Sequence, residues 1–229
     1  MSEEIFIRQL SMQMEELMFE DYRYYLHDKY RFDKGSWLAI GLAIWTIGGF
    51  LGFIYESVFY YANSDYQYFF WPGSTFGPWL DVSCIAALLI FLILYPLRRQ
   101  PWFVFLFSAL GCSAIQLLIG LVLYNFCGGL RIWNYNLEIL NFGSIGGFVC
   151  LRSALAFGIL GLLVIYVIAP LIFRMGVYTR RNTFVTIWLI IGLVCVLDVV
   201  YNDVVCSLVP SLPGAANLYQ ACGLKTLHY

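Results

Sequence analysis

Charged residues are scarce in this sequence, and that shortage excludes an ordinary soluble domain. Only 12% of the 229 residues are Asp, Glu, Lys or Arg, whereas soluble domains carry about 25%. Hydrophobic residues make up 61% of the chain, and the mean hydropathy is +0.76. The composition therefore predicts an integral membrane protein.

Other shortages exclude several kinds of site. A net charge of −1 and a pI near 6.1 give no signal for nucleic-acid binding. The only two histidines, His27 and His228, lie near opposite ends of the chain, and there is no CxxC motif. A zinc or iron site is therefore not indicated, and we expect no cofactor. No signal peptide is expected either, because an arm of some 36 residues with many polar side chains precedes the first apolar run.

Motifs of enzymes are also missing. The chain has no GxxxxGK[ST] motif, so it is not predicted to use nucleotide hydrolysis by that route. No Ser-His-Asp or Cys-His arrangement can be built, since neither histidine lies near the other polar candidates. A protein without catalytic activity is favoured. A carboxylate-based membrane enzyme stays open, with Glu56 or Asp198 as general base.

Long apolar runs are what the sequence has instead, and they predict an all-α, polytopic transmembrane bundle. At about 1.5 Å per residue, runs of this length cross roughly 30 Å of hydrocarbon. We predict about five spans, at residues 37–61, 79–97, 102–125, 148–173 and 183–209. The predicted organisation is an N-terminal arm (1–36), the bundle (37–209) and a C-terminal tail (210–229). The arm is predicted to form an amphipathic helix, which either lies on the membrane surface or docks a partner.

The first run, Trp37 to Tyr61, carries a pair of small residues and an acid. Gly48 and Gly52 form a GxxxG pair, which lets another helix approach closely. Glu56 lies one turn further along the same helix face. An ionisable group in a span costs about 2.5–3.5 kcal/mol on insertion scales, so it usually faces protein and has a partner.

Two connections are neither polar loops nor spans. Residues 62–78 and 126–147 are rich in aromatic residues and are interrupted by Gly and Pro. Irregular backbone at membrane depth must not face lipid. We therefore predict re-entrant or interfacial loops packed on protein.

The Lys and Arg residues are unequally divided between the two predicted sides. Five lie in the N-terminal arm, two in the 98–100 turn and three in the 174–181 connection, all on one side of a five-span protein. The other side has only Arg131 and Lys225, with Arg152 just inside the membrane. The positive-inside rule predicts a cytoplasmic N-terminus and an external C-terminus in a cell membrane.

This topology brings polar residues from four helices to one depth near the outer face. We interpret them as a substrate or ion site, and the alternative is a structural ion-pair network. Four acids face one arginine, and buried like charges are costly unless they are protonated or balanced by a cation. The six candidate substrate-binding residues are Glu56, Asp81, Arg152, Asp198, Asn202 and Asp203. Asp198 and Asn202, one turn apart, are only a weak metal signal.

The cysteines suggest at most one disulfide. Cys206 and Cys222 are both placed outside, where a bond between them is chemically possible. Cys127 and Cys150 are competing external partners.

Several short motifs are spread along residues 48–203. They include Gly52-Phe53-Ile54-Tyr55-Glu56, Phe76-Gly77-Pro78, Trp133-Asn134-Tyr135, Phe157-Gly158 and Leu197-Asp198-Val199-Val200-Tyr201. These motifs resemble the bacterial ABC-transporter type IV proteins, a family of small permease-like membrane proteins. The resemblance implies a transporter component that works with a cytoplasmic ATPase or other membrane subunits. Connections 98–100 and 174–183 are short for coupling to an ATPase, so either the N-terminal arm docks it or the resemblance does not extend to mechanism.

Three functions remain open on the sequence. The first is a permease-like transporter component with a net acidic site near the outer face. The second is an outer-leaflet lipid-binding or lipid-modifying protein. The third is an accessory subunit without catalytic activity. Membrane lipids are expected partners in every case, and nucleic acid is not.

Overall fold

The computed structural model describes residues 32–63, 70–126, 129, 133–137, 140–209 and 211–226. The predicted amphipathic helix of the arm lies outside these residues, as do His27, Cys127, Arg131 and His228.

Helices account for nearly all of the regular structure in the described part of the chain. Helix α1 is Lys34–Asn63, and α2 is Asp81–Leu94, prolonged by a 3-10 turn at Tyr95–Leu97. Helix α3 is Pro101–Phe126, and a 3-10 turn follows at Tyr135–Leu137. Helix α4, Leu151–Leu163, passes through a π-helical turn at Val164–Ile168 into α5, Ala169–Tyr178.

The C-terminal part adds one long helix and two short ones. Helix α6, Arg181–Val199, continues through a π-helical segment at Val200–Val205 into α7, Cys206–Leu208. Helix α8 is Ala215–Ala221. Two two-residue strands, β1 (Phe70–Trp71) and β2 (Lys225–Thr226), pair in parallel and join the chain's end to the first connection.

The all-α membrane fold predicted from the sequence is confirmed. Four helical stretches are long and apolar enough to cross a membrane: Lys34–Ala62, Pro101–Phe126, Leu151–Tyr178 and Arg181–Val205. The apolar stretch Asp81–Leu97, which corresponds to the predicted second span at residues 79–97, is shorter than these four. At about 1.5 Å per residue it covers only about 25 Å, less than the roughly 30 Å of a hydrocarbon core.

Helix α4 begins three residues later than the apolar pattern suggested. Cys150 has extended backbone and caps the helix, and its Sγ accepts a hydrogen bond from the Ser153 N–H at 3.5 Å. The Ser153 Oγ in turn accepts from the Cys150 N–H at 3.2 Å. These reciprocal bonds satisfy donors that the start of a helix otherwise leaves unpaired.

Helix α1 is central to the bundle because it packs against both α2 and α6. A Cβ added at Gly48 would lie 2.2 Å from the Cβ of Ala87, and one added at Gly52 would lie 2.0 Å from the Ser83 Oγ. The predicted close contact through the GxxxG pair is therefore confirmed, and its partner is α2. Helix α3 packs mainly on α4.

Charged side chains separate to the two ends of this bundle. At the start of α1, Asp33 pairs with Arg181 at the start of α6. At the other end of α1, Glu56 pairs with Arg152 at the start of α4. Fully buried apolar residues such as Ile40, Ile44, Val164 and Ile172 fill the core between these ends.

Candidate functional site

A cavity of about 270 Å³ lies between α1, α2, α3 and α4, at the end of the bundle that holds Glu56 and Arg152. One part of its wall is polar, and six of the residues there are Glu56, Ser74, Asp81, Gln116, Tyr135 and Arg152. The other part is apolar, and six of its residues are Leu51, Val82, Ala156, Ile159, Leu160 and Leu163. The cavity is thus polar toward the connecting loops and apolar toward the middle of the bundle.

The ion pair between Glu56 and Arg152 crosses the polar part of this cavity. The Arg152 Nη1 lies 4.0 Å from the Glu56 Oε2, and the two side chains are only 10% and 18% exposed. The guanidinium also stacks on Phe59, with its Cζ 4.1 Å from the ring centre, and lies 5.6 Å from the ring centre of Tyr135. Cation–π contacts of this kind hold an arginine in place without neutralising its charge.

Tyr135 reaches the cavity because the loop before α4 folds back on itself. The Tyr135 N–H donates to the Gly147 carbonyl at 2.8 Å, and the Trp133 Nε1 donates to the Phe148 carbonyl at 2.8 Å. Gly147 has a φ of +82°, a conformation that favours glycine. Inside the wall, the Gln116 Nε2 donates to the Tyr135 hydroxyl at 2.9 Å.

Two carboxyl groups meet at the rim of the cavity. The carboxyl groups of Asp81 and Asp203 are close enough to affect each other electrostatically. The Ser74 Oγ donates to the Asp203 Oδ1 at 2.5 Å. Two neighbouring carboxylates repel each other, so a hydrogen-bond donor beside them is favourable.

Asp198 and Asn202 hold the surrounding loops and do not line the cavity. The Asp198 carboxylate accepts hydrogen bonds from the Phe76 N–H at 3.0 Å and the Gly77 N–H at 2.8 Å. The Asn202 Nδ2 donates to the same carboxylate at 2.7 Å, and its Oδ1 accepts from the Ala215 N–H at 2.7 Å. These two side chains connect α6 to the first connection and to α8.

The described part of the first connection, residues 70–80, is mostly irregular and packs on other parts of the protein. Thr75 is fully buried, and its Oγ1 donates to the Trp79 carbonyl at 2.8 Å. The Leu80 N–H donates to the Gly49 carbonyl of α1 at 3.0 Å. On the other side, the ring of Trp71 lies 4.5 Å from that of Tyr219 in α8. This packing fits the prediction that the connection rests on protein rather than lipid.

The six predicted site residues thus divide into three groups. Glu56, Asp81 and Arg152 line the cavity, and Asp203 lies at its rim. The remaining two, described above, stabilise the loops. Gln116, Ser74 and Tyr135 also line the cavity and are not among the predicted site residues. The sequence does contain a signal for Gln116, because an amide side chain within an otherwise apolar span indicates a buried polar contact.

The weak metal signal and the proposed disulfide have no support in the described residues. Within those ranges, no group of three or more His, Cys, Asp or Glu side chains is arranged to hold a metal ion. Cys206 and Cys222 are not bonded to each other in this structure, and Cys150 is buried as a helix cap.

The family of the chain follows from a comparison with family models. The model described as "Putative ABC-transporter type IV" matches residues 43–202. This is more than half of the chain. The chain belongs to this family. The matched region contains every predicted site residue except Asp203, which lies one position beyond it. No curated protein and no solved structure matches the chain.

Proposed function

We propose that this protein is the membrane-embedded, substrate-binding component of a permease-like transport system. Membership of an ABC-transporter-type family supports transport. The observation that carries the proposal is the cavity with an oppositely charged pair on its wall. Ionisable residues within membrane bundles are costly, and they commonly mark substrate or ion pathways.

The position of the ion pair favours a binding site over a structural strut. Two charges that only joined α1 to α4 would be expected to lie against packed side chains. Glu56 and Arg152 instead border an open space. A buried ion pair is weak evidence of stability, because desolvation offsets much of its attraction. A substrate that carries both a cationic and an anionic group would match each of the two side chains.

Transport across the membrane requires more than this cavity. Beyond its apolar part lie the fully buried side chains of Ile40, Ile44 and Val164. Among the described residues, no polar path continues through this core. The proposal therefore includes a rearrangement driven by a partner, either a cytoplasmic ATPase or another membrane subunit. The N-terminal arm is the proposed docking element, since the turn at residues 98–100 is short.

The proposal places the cavity at the external face of a cell membrane. The sequence predicts ten Lys and Arg residues on the other side, and this distribution supports the orientation. Cys222 is exposed near the C-terminus and offers a direct test. A membrane-impermeant maleimide added to intact cells should label the wild type and should label Cys222→Ser less. Labelling of this thiol only after lysis would reverse the orientation.

Substrate binding can be tested with zwitterionic and cationic probes. We expect at least one of phosphoethanolamine, choline, glycine betaine and phosphatidylethanolamine to raise the melting temperature of the purified protein. Glu56→Gln and Arg152→Gln should lose this effect. Arg99→Gln is the matched control, because Arg99 is exposed at the opposite end of the bundle. Radiolabelled probe should then be transported across the membrane of proteoliposomes that contain the wild type and its partner subunits.

Two results would contradict the proposal. One is that no probe stabilises the wild type. The other is that each probe stabilises the two cavity variants as much as the wild type, which is the behaviour of a structural ion pair in an accessory subunit.

An outer-leaflet lipid-binding protein is the second candidate function. It is favoured by one observation, that residues of the cavity wall also reach the outer surface of the bundle: Ile159 is 55% exposed. Binding of lipid without movement across proteoliposomes would select this function over transport.

A further inference from the structure

The apolar part of the cavity is as informative as its charged part. Val82, Ala156 and Leu160 line it with carbon atoms only. A small polar substrate would gain nothing from such a wall, because apolar surface is favourable only where it removes other apolar surface from water. The occupant of the whole cavity must therefore carry an apolar segment beside its charged groups.

Part of the same wall is exposed. Ile159 and Leu163 line the cavity, and they are 55% and 37% exposed. Tyr55 on α1 lines the cavity as well and is 38% exposed. In a bundle of apolar helices, exposed apolar side chains at membrane depth are the ones that meet lipid. An apolar chain can therefore pass between α1 and α4 without crossing water.

From these two features we infer that the cavity binds a phospholipid-type zwitterion that enters sideways from the membrane, with its head between Glu56 and Arg152. This inference rests on the proposed function, since it names the substrate class of the same site. The lipid's acyl chain lies along α4, toward Leu163.

The polar end of the cavity has side chains that are complementary to a zwitterionic lipid head group. The guanidinium of Arg152 can bind a phosphate with two parallel hydrogen bonds, a geometry that lysine cannot offer. The carboxylate of Glu56 faces the ammonium group of the same head. Gln116 and Tyr135 line this end with neutral hydrogen-bonding groups.

The depth of the cavity matches one leaflet. Arg152 lies in the first turn of α4, and Leu163 is its last residue. At about 1.5 Å per residue, the two are separated by roughly 16 Å along the helix. That is about half of the roughly 30 Å hydrocarbon thickness of a bilayer. A lipid whose head reaches Arg152 would therefore place its chain beside the apolar wall over the depth of a leaflet.

Photocrosslinking in vesicles tests this inference. The probe is phosphatidylethanolamine with a diazirine in its acyl chain, at one mole per cent in phosphatidylcholine vesicles that contain the full chain. We expect crosslinks on the cavity side of α4, around Ala156 and Leu160, that excess phosphatidylethanolamine removes. Crosslinks at Ile190 and Leu193, which are exposed on α6, report ordinary contact with bulk lipid and should not be competed.

Two variants separate a blocked cavity from a misfolded protein. Ala156→Phe fills the apolar part and should reduce the competed crosslinks by about tenfold, the change that corresponds to about 1.4 kcal/mol of binding free energy. Leu155→Phe is its matched control, because Leu155 is exposed on the same turn and does not line the cavity. Both variants should keep the wild-type circular dichroism. Equal labelling of α4 and α6, unchanged by Ala156→Phe, would overturn the inference.

Competition also separates this inference from the proposed function. If soluble phosphoethanolamine competes as well as the lipid, the head-group site stands and the inference of a lipid fails. If the lipid is bound but is not moved across the membrane of proteoliposomes, the inference stands and the transport function fails.

Discussion

The two ends of the bundle hold the same kind of ion pair in opposite surroundings. At one end, Asp33 and Arg181 are 45% and 60% exposed. At the other, Glu56 and Arg152 are 18% and 10% exposed and border a cavity. Exposed pairs contribute little to stability, whereas desolvated pairs are costly to form and costly to break.

Aromatic residues differ between the two ends in the same way. Around the exposed pair, the rings of Phe32, Trp37 and Phe173 pack on one another with centres 5.8–6.1 Å apart. Around the buried pair, Phe59 and Tyr135 stack on the guanidinium, and Phe59 also packs on Tyr55 and Tyr60. The rings at this end thus contact the charged group itself, beside a cavity that leaves space for a ligand. Buried charge beside open space, rather than charge alone, identifies the candidate site.

The largest expected effect comes from breaking the buried pair. Glu56→Gln or Arg152→Gln alone leaves one charge buried without its partner, which costs about 3 kcal/mol, the lower end of the range for such pairs. The double variant should lose less than either single variant, because no unpaired charge remains. Unfolding by urea or dodecyl sulfate, followed by circular dichroism, measures the free energy of unfolding of each variant. A double variant that loses the sum of the single effects would show that the two side chains do not interact.

A somewhat smaller effect is expected at the contact between α1 and α2. Gly52→Ala adds a methyl group that overlaps Ser83 and should cost about 1–3 kcal/mol. Gly111→Ala is the matched control, since a Cβ there meets no atom within 4 Å. That variant should be neutral or stabilising by about 0.5–1 kcal/mol, because alanine favours a helix. Equal unfolding free energies for the two variants would contradict the close packing.

A local effect is expected at the loop over the cavity. Asp198→Asn replaces charge-assisted hydrogen bonds to the Phe76 and Gly77 amides with neutral ones, at a cost of about 1 kcal/mol. Hydrogen exchange should accelerate at these two amides and stay unchanged in α3. Uniform acceleration over the whole bundle would instead indicate global destabilisation.

The smallest effect is expected at the exposed pair, and it depends on pH. Hydrogen bonds from Arg181 and then from Ser36 hold the pKa of Asp33 well below its usual range. A carboxyl whose pKa is lowered on folding adds stability above its unfolded value of about 3.9, and that stability is lost as the pH falls further. Asp33→Asn should thus melt slightly below the wild type at pH 7. The melting temperatures of the wild type and Asp33→Asn should converge as the pH falls below about 4. A difference in melting temperature that grows as the pH falls would contradict this prediction.

Features that depend on short stretches of sequence were predictable. The length of each apolar run located the helices, and the spacing of Gly48 and Gly52 identified a helix contact. The depth of Glu56 and Arg152 within their runs placed them at one end of the bundle. Such features can be predicted from the sequence because the length of an apolar run and the periodicity of a helix depend only on residues that are close together in the chain.

Features that depend on where loops travel were not predictable. Asp198 looked equivalent to Glu56, but it holds the Phe76 and Gly77 amides. The C-terminal segment is predicted only as a tail, whereas in the structure it forms α8 and packs on Trp71. These outcomes depend on contacts between residues more than 100 positions apart, which a linear pattern does not encode.

The amino-acid sequence by itself determined that this chain is an apolar helical membrane protein with its buried charges gathered at one end, because run length and residue spacing decide those properties. Only the tertiary structure decided which charges border a cavity and which hold loops. Those roles depend on the distances between side chains from different helices, and folding alone sets such distances.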